Sequence, residues 1–363
     1  MNSGNSPPKE RMSNAEFIRK TLILMGLIVL ALILWQLSSI VLLAFGSILA
    51  AIILNAAADA LSRYLRVPSR WALAVASLLI FALFVGLLFL FGANMRTQMS
   101  SVAEQLPLAI DQLGRKIGIS SISDNLSQFM SEIPSTGLVQ RIAGIGGTVL
   151  GGLTDFALAV FAGLYIAASP QLYFDGFVKL FPLNHHQRIE SALATCGQAL
   201  RLWLTAQLLS MACVGVMAGL AFWLIGLPSP HALGLIAALL EFVPFLGPIL
   251  GAVPAVLISI TLGSKAMLWT VAAVVIVQQL EGNLIQPLLQ RKMVNIPPAL
   301  ALFGIVIGGV LFGTLGLMLG FPLLVVIFVL VKKLYVREVL GETTPVPGEA
   351  KPGTEGMPGP AKS

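Results

Sequence analysis

Charge is scarce in this chain. Asp, Glu, Lys and Arg make up 10% of the 363 residues, whereas a soluble domain carries roughly a quarter. Apolar residues account for 57%, so lipid is expected to be the solvent for most of the chain. The net charge of +6 comes from Lys and Arg at the ends of apolar runs, which reads as topology signalling. Clustered basic residues with aromatic neighbours, which a nucleic-acid groove requires, are missing, and no nucleic-acid partner is expected. Cysteine is nearly absent: Cys196 and Cys213 sit in or beside apolar helices without metal-like spacing and read as small buried hydrophobes. His185 and His186 have no Cys or carboxylate neighbours at ligand spacing, so no metal is expected. The chain also lacks a G-x-x-x-x-G-K-[ST] loop, an H-E-x-x-H helix and a C-x-x-C pair. Enzymatic readings and ATP-driven ones therefore have no support, and no cofactor is expected.

What is present is a series of long apolar runs. A membrane span needs about twenty such residues, and 21–37, 40–62, 71–93, 142–168 and 202–226 qualify. Asp59 and Asp155 are their only charges. Lys9, Arg11, Arg19 and Lys20 precede the first run, and Arg63, Arg66 and Arg70 separate the second from the third. The positive-inside rule places both groups, and residues 1–20, in the cytoplasm. About twenty polar residues precede the first run and no small-residue cleavage site follows it, which reads as an uncleaved signal anchor. Ser13 and Glu16 have the form of a capping box. The third run leads outward into 94–141, where Met95, Met99, Val102, Leu106, Ile110, Leu113 and Ile117 recur at helical steps. This predicts an amphipathic helix, kinked at Pro107. It is either a lid or inter-subunit contact, or a helix resting on the body of the protein or the lipid interface.

Within 142–335, the transport region, a cytoplasmic helix is predicted near 170–200, where Lys179, Arg188 and Arg201 gather. Beyond it the simple rule of spans fails. Residues 231–262 are interrupted by Pro244, Gly247, Pro248, Gly251 and Pro254. Residues 299–331 are interrupted by Gly308, Gly309, Gly313, Gly316, Gly320 and Pro322. As plain spans they would leave Arg291 and Lys292 outside. As two broken or re-entrant helical hairpins flanking a true span at 266–281, they return Arg291, Lys292, Lys332, Lys333 and Arg337 to the cytoplasm and misplace only Lys265. The two segments also share a pattern, Gly247-x3-Gly251-x2-Pro254 and Gly316-x3-Gly320-x-Pro322. Such likeness marks binding sites in secondary transporters, and equally serves close helix packing. The expectation is an all-α, polytopic protein of about eight membrane segments. Residues 336–363, rich in Pro, Gly, Thr and Glu, form a disordered cytoplasmic tail.

Broken helices at bilayer depth free backbone groups that protein, water or a ligand must satisfy. Polar side chains gather near these breaks: Glu241 beside Pro244; Gln278, Gln279, Glu281, Asn283 and Gln286 beside Pro287; Asn295 beside Pro297 and Pro298. With Pro244 and Gly247 they make a candidate site for a small polar solute or a monovalent cation. Desolvation penalises the charged form of a carboxylate, so Glu241 or Glu281 is suited to a coupling proton; an interfacial helix end is the plain alternative for Glu281. Glu241 is expected to bind solute or to have a buried partner such as Arg201. Gln198, Arg201 and Gln207 share a helix whose face either lines the same cavity or makes interhelical hydrogen bonds. Asn55 and Asp59, one turn apart, are expected to cap the helix or pair with Arg63.

Three blocks carry a resemblance: Leu240-Glu-Phe-Val-Pro-Phe-Leu-Gly-Pro-Ile-Leu-Gly-Ala-Val-Pro254, Gln278-Gln-Leu-Glu-Gly-Asn-Leu-Ile-Gln-Pro287 and Gly313-Thr-Leu-Gly-Leu-Met-Leu-Gly-Phe-Pro322. In order and spacing they resemble the autoinducer-2 exporter family, and a weaker likeness runs from the first span, through Leu54-Asn55 and Val67-Pro68, to about residue 335. The resemblance implies a bacterial inner-membrane protein that exports a small hydroxylated furanone. Other members are associated with sodium/proton exchange. It further implies a homo-oligomer, such as a pentamer, in which a transport region moves against a scaffold. Ala56 follows Asn55 where the family often has proline, and Leu204-Thr-Ala-Gln207 lacks the usual glycine before its glutamine; both departures bear on the cargo and not on the fold. Three functions follow: export of a small polar solute, sodium/proton antiport, or a membrane scaffold that moves nothing and docks partners on 94–141.

Overall fold

The computed structural model describes residues 14–68, 70–82, 85–86, 152, 154–290, 296–342 and 344. All regular structure in them is helical. The predicted amphipathic helix at 94–141, the capping Ser13, Asn295 and most of the predicted tail lie outside the described residues.

The first two helices, α1 (Asn14–Gln36) and α2 (Ser38–Tyr64), meet near Leu37. Next come α3 (Arg70–Ala82) and α4 (Thr154–Ala168), the latter followed after a bend of 88° by α5 (Pro170–Val178). Pro170 has no N–H to continue α4 and its ring pre-sets the first turn of a new helix. The predicted cytoplasmic helix and the fifth span are not separate. A single helix, α6 (His186–Ile225), runs for 40 residues, about 60 Å at 1.5 Å per residue. Leu200 to Leu204 contain nothing that breaks a helix, so the charge of Arg201 marks no boundary. Gly226, at φ 84°, ends α6 in the left-handed conformation that favours glycine.

The first interrupted segment folds back on itself. Helix α7 (Pro230–Leu240) and helix α8 (Leu246–Thr261) are each shorter than the roughly 20 residues that cross a bilayer. They lie antiparallel. A Cβ on Gly251 would sit 3.0 Å from Ala237, and one on Gly247 would collide with the Leu240 carbonyl and with Glu241. The shared glycine pattern thus places backbone on backbone, as small-residue seams do in membranes.

The second segment, α11 (Pro298–Leu330), repeats the device. Its 33 residues are helical except Gly313, at φ 65° and ψ −145°, a conformation open essentially to glycine alone. In a straight helix Gly304 and Gly320 would stand about 24 Å apart. Instead a Cβ on Gly320 would lie 2.9 Å from the Gly304 carbonyl oxygen, and Gly308 meets Gly316 backbone to backbone. The chain therefore reverses at Gly313, with arms at 298–312 and 314–330. Between the hairpins runs α9 (Ser264–Leu280), extended by a π-helical turn, Glu281–Ile285, into α10 (Gln286–Gln290).

Helix α6 is the mast of the assembly. Its first half packs Cys196, Ala199, Leu200, Trp203 and Leu204 against Leu42 and Leu49 of α2 and against Leu319, Val325 and Val329 of the second hairpin. Its second half packs Ala218 and Phe222 against Leu233, Ala255 and Ile258 of the first hairpin. Beyond α11, a π-helical stretch (Val331–Arg337) buries Lys333, whose Nζ donates to the Ser191 carbonyl at 3.0 Å and to Thr195 Oγ1 at 2.6 Å. Large apolar side chains such as Val216, Leu220 and Trp223 remain exposed, as expected of a surface that faces lipid. Four helical segments among the described residues are long and apolar enough to cross a membrane, or five with the bent α4–α5 pair. One of them is Pro298–Arg337, the segment that reverses at Gly313. The expected total of about eight is not reached among the described residues.

Candidate solute chamber

Four elements converge on a chamber of about 1080 Å³: the middle of α6, the tip of the first hairpin, the end of α9 with its π turn, and α11, through its start and through Phe321 of its returning arm. Its volume lies slightly above the usual range for small-molecule sites. Trp203, Ala206, Gln207 and Ser210 line it from α6, at the i, i+3, i+4, i+7 spacing of one helical face. From α9 and its extension come Val274, Gln278, Glu281, Gly282 and Gln286. A second cleft of about 20 Å³, room for one water, adjoins it and shares Glu241, Pro248, Ala252, Val274 and Gln278 while adding Gly247.

Helix α7 ends at Leu240 because the chain must turn over Pro244. At the tip, the Leu246 N–H donates to the Pro244 carbonyl at 2.8 Å, closing a γ-turn on Phe245 at φ 66° and ψ −41°. That conformation is rare and strained for a residue with a side chain. The turn leaves the Glu241 carbonyl without a helical partner, and Gln207 Nε2 supplies the hydrogen bond at 2.6 Å. The Glu241 side chain is 3% exposed, and its Oε2 has no hydrogen-bond partner. Its carboxyl group interacts with that of Glu281.

Glu281 is 5% exposed and accepts a hydrogen bond from Ser210 Oγ at 3.0 Å. It opens the π turn, in which the Gln286 N–H reaches back five residues to the Glu281 carbonyl. Pro287 has no N–H to donate to Asn283, and a wider turn absorbs the loss. Such turns are frequent at functional sites.

The structure brings Glu241, Pro244, Gln278, Glu281, Gln286 and Gln207 to one chamber, with Gly247 in the adjoining cleft. Others of the predicted set lie elsewhere. Gln279 and Asn283 are exposed and bond to each other at 2.9 Å on another face of the helix. Pro287 is exposed and shapes the turn. Arg201 does not meet Glu241: its Nη2 lies 2.6 Å from Asp59 Oδ2, so Asp59 pairs with Arg201 and not with Arg63. Gln198 is exposed and off the chamber-facing stripe of α6. Ser210, Trp203, Phe245 and Phe321 also line the chamber; continuing the Gln207 stripe by one turn in each direction points to the first two, and the sequence carries no comparable signal for the others.

The sequence pattern described as AI-2E family transporter matches residues 23–335. Two Bacillus subtilis proteins named as candidate transport proteins are similar to the chain. YrrI is 30% identical over 237 residues, covering 62% of this chain and 67% of its own length. YueF is 27% identical over 276 residues, covering 69% and 73%. A candidate transport protein of Thermotoga maritima is 27% identical over 208 residues, covering 57% and 63%.

Proposed function

Because the chain belongs to the AI-2E family of transporters, we propose that it moves a small polar solute through the chamber between α6, the first hairpin and α9. The observation that carries this reading is Glu241. A carboxyl group buried at the tip of a broken helix, with one oxygen unpartnered, beside a second buried carboxyl group in a chamber, is costly to maintain. Packing alone gives no reason for it. The carboxyl oxygens, the amides of Gln207, Gln278 and Gln286 and the hydroxyl of Ser210 offer acceptors and donors to a hydroxylated solute. The family name points to autoinducer-2 as one such cargo. Transport here is secondary, drawing on an ion gradient.

Purified protein in liposomes, given an imposed proton or sodium gradient and a panel of hydroxylated solutes, tests the reading. Solute should accumulate vectorially, and Glu241→Gln should abolish the flux while insertion and yield stay unchanged. Full flux in that variant removes the proposed role.

The paired carboxyls favour a second reading, cation/proton antiport. It predicts sodium- or lithium-driven proton movement in vesicles without any organic solute, lost in both Glu241→Gln and Glu281→Gln. Proton movement that needs the solute rejects it.

A further inference from the structure

We propose that the cargo is a small organic cation, an ammonium or guanidinium group on an apolar or aromatic body, held with its charged end between Glu241 and Glu281. This rests on the transport reading above and narrows its solute.

Two features of the chamber point the same way. Glu241 and Glu281, each nineteen-twentieths or more buried, both line it. Glu281 has one oxygen engaged by Ser210, and Glu241 Oε2 has no partner. An N–H donor carrying positive charge would satisfy that oxygen and balance the negative charge of the acid pair. A neutral hydroxyl would do only the first. Among the described residues the lining includes no Lys, Arg or His.

The lining also holds aromatic and aliphatic side chains: Trp203, Phe321, Phe245 and Ile249. Trp203 and Phe321 have ring centroids 5.2 Å apart at 32°, and Phe242 braces Trp203 from the side at 5.9 Å. Aromatic faces attract cations and cover the apolar part of an amine equally well. The volume of about 1080 Å³ far exceeds what a bare monovalent ion needs. It suits a molecule with both a charged end and a body.

The test is a charge series on one scaffold, bound at equilibrium to the purified full-length protein in detergent: phenethylamine, phenethyl alcohol and 3-phenylpropionate at neutral pH. The amine should bind at least about tenfold more tightly than the alcohol, the scale of one charge-assisted hydrogen bond, and the carboxylate should show no saturable binding. In Glu241→Gln and Glu281→Gln the amine's advantage should shrink to about threefold or less. Alcohol binding as tightly as amine to the unaltered protein overturns the proposal, and needs no variant to fold. An amine preference unchanged in both variants overturns it too. Because this is a binding measurement, its failure is separable from that of transport. Flux of a neutral solute with no amine binding sinks only the cation, whereas amine binding with no flux of any solute sinks only the carrier.

Discussion

Gln207 on α6 holds the tip of the first hairpin by donating from Nε2 to the Glu241 carbonyl at 2.6 Å. The side chain that lines the chamber thus fixes the backbone of the residue that defines it. Gln207→Leu keeps most of the volume and leaves that carbonyl unpaired. The expected cost is about 1–3 kcal/mol, read as a lower melting temperature in detergent, together with a several-fold fall in solute flux. Unchanged melting and flux would show that the tip is held by other means.

Arg201 and Asp59 form a pair that is well exposed on both sides, with side chains 44% and 63% accessible. Such pairs contribute about 0–1 kcal/mol. Asp59→Asn and Arg201→Gln should therefore leave flux near its original level and shift stability by less than about 1 kcal/mol. Loss of transport in Arg201→Gln with normal insertion would return Arg201 to the site.

Glycine seams make the hairpins sensitive to a single methyl group. Gly316→Ala places a Cβ against the Gly308 carbonyl and the Phe312 side chain, and overpacking of this kind costs about 1–3 kcal/mol. Gly197→Ala, on α6 with nothing within 4 Å, should be neutral or stabilising by up to about 1 kcal/mol. Thermal or denaturant unfolding of the two variants side by side checks the contrast; equal effects would contradict the antiparallel packing of α11.

Phe245 carries positive φ at the γ-turn of the first hairpin. Phe245→Gly relieves backbone strain of about 1–3 kcal/mol, whereas Phe245→Ala keeps the strain and removes the same ring. The glycine variant should melt above the alanine variant, and both should bind an aromatic solute less well. The reverse order of melting would argue against a strained turn.

Much of this was legible in the sequence for a definite reason. Gly and Pro inside apolar runs are expensive unless the chain turns or packs closely there, so 231–262 and 299–331 announced their breaks. Gly313 and the Glu241–Phe245 tip are where those breaks fall. Glu241 was visible as a charge deep in an apolar run. Local periodicity, had it been followed, also separates Gln278 and Glu281 from Gln279 and Asn283, since residues three and four apart share a face. What could not be read was pairing across the fold. Nothing near Asp59 in the chain distinguishes Arg63 from Arg201, 142 residues away. The continuity of α6 was obscured because Arg201 looks like a boundary when hydropathy alone is scanned.

In both hairpins the arms approach main chain to main chain at their glycines, Gly247 and Gly251 in the first and Gly308, Gly316 and Gly320 in the second. Closing the hairpins and lining the chamber thus fall to different atoms: glycine main chain does the first, and Glu241 with the side chains around it does the second.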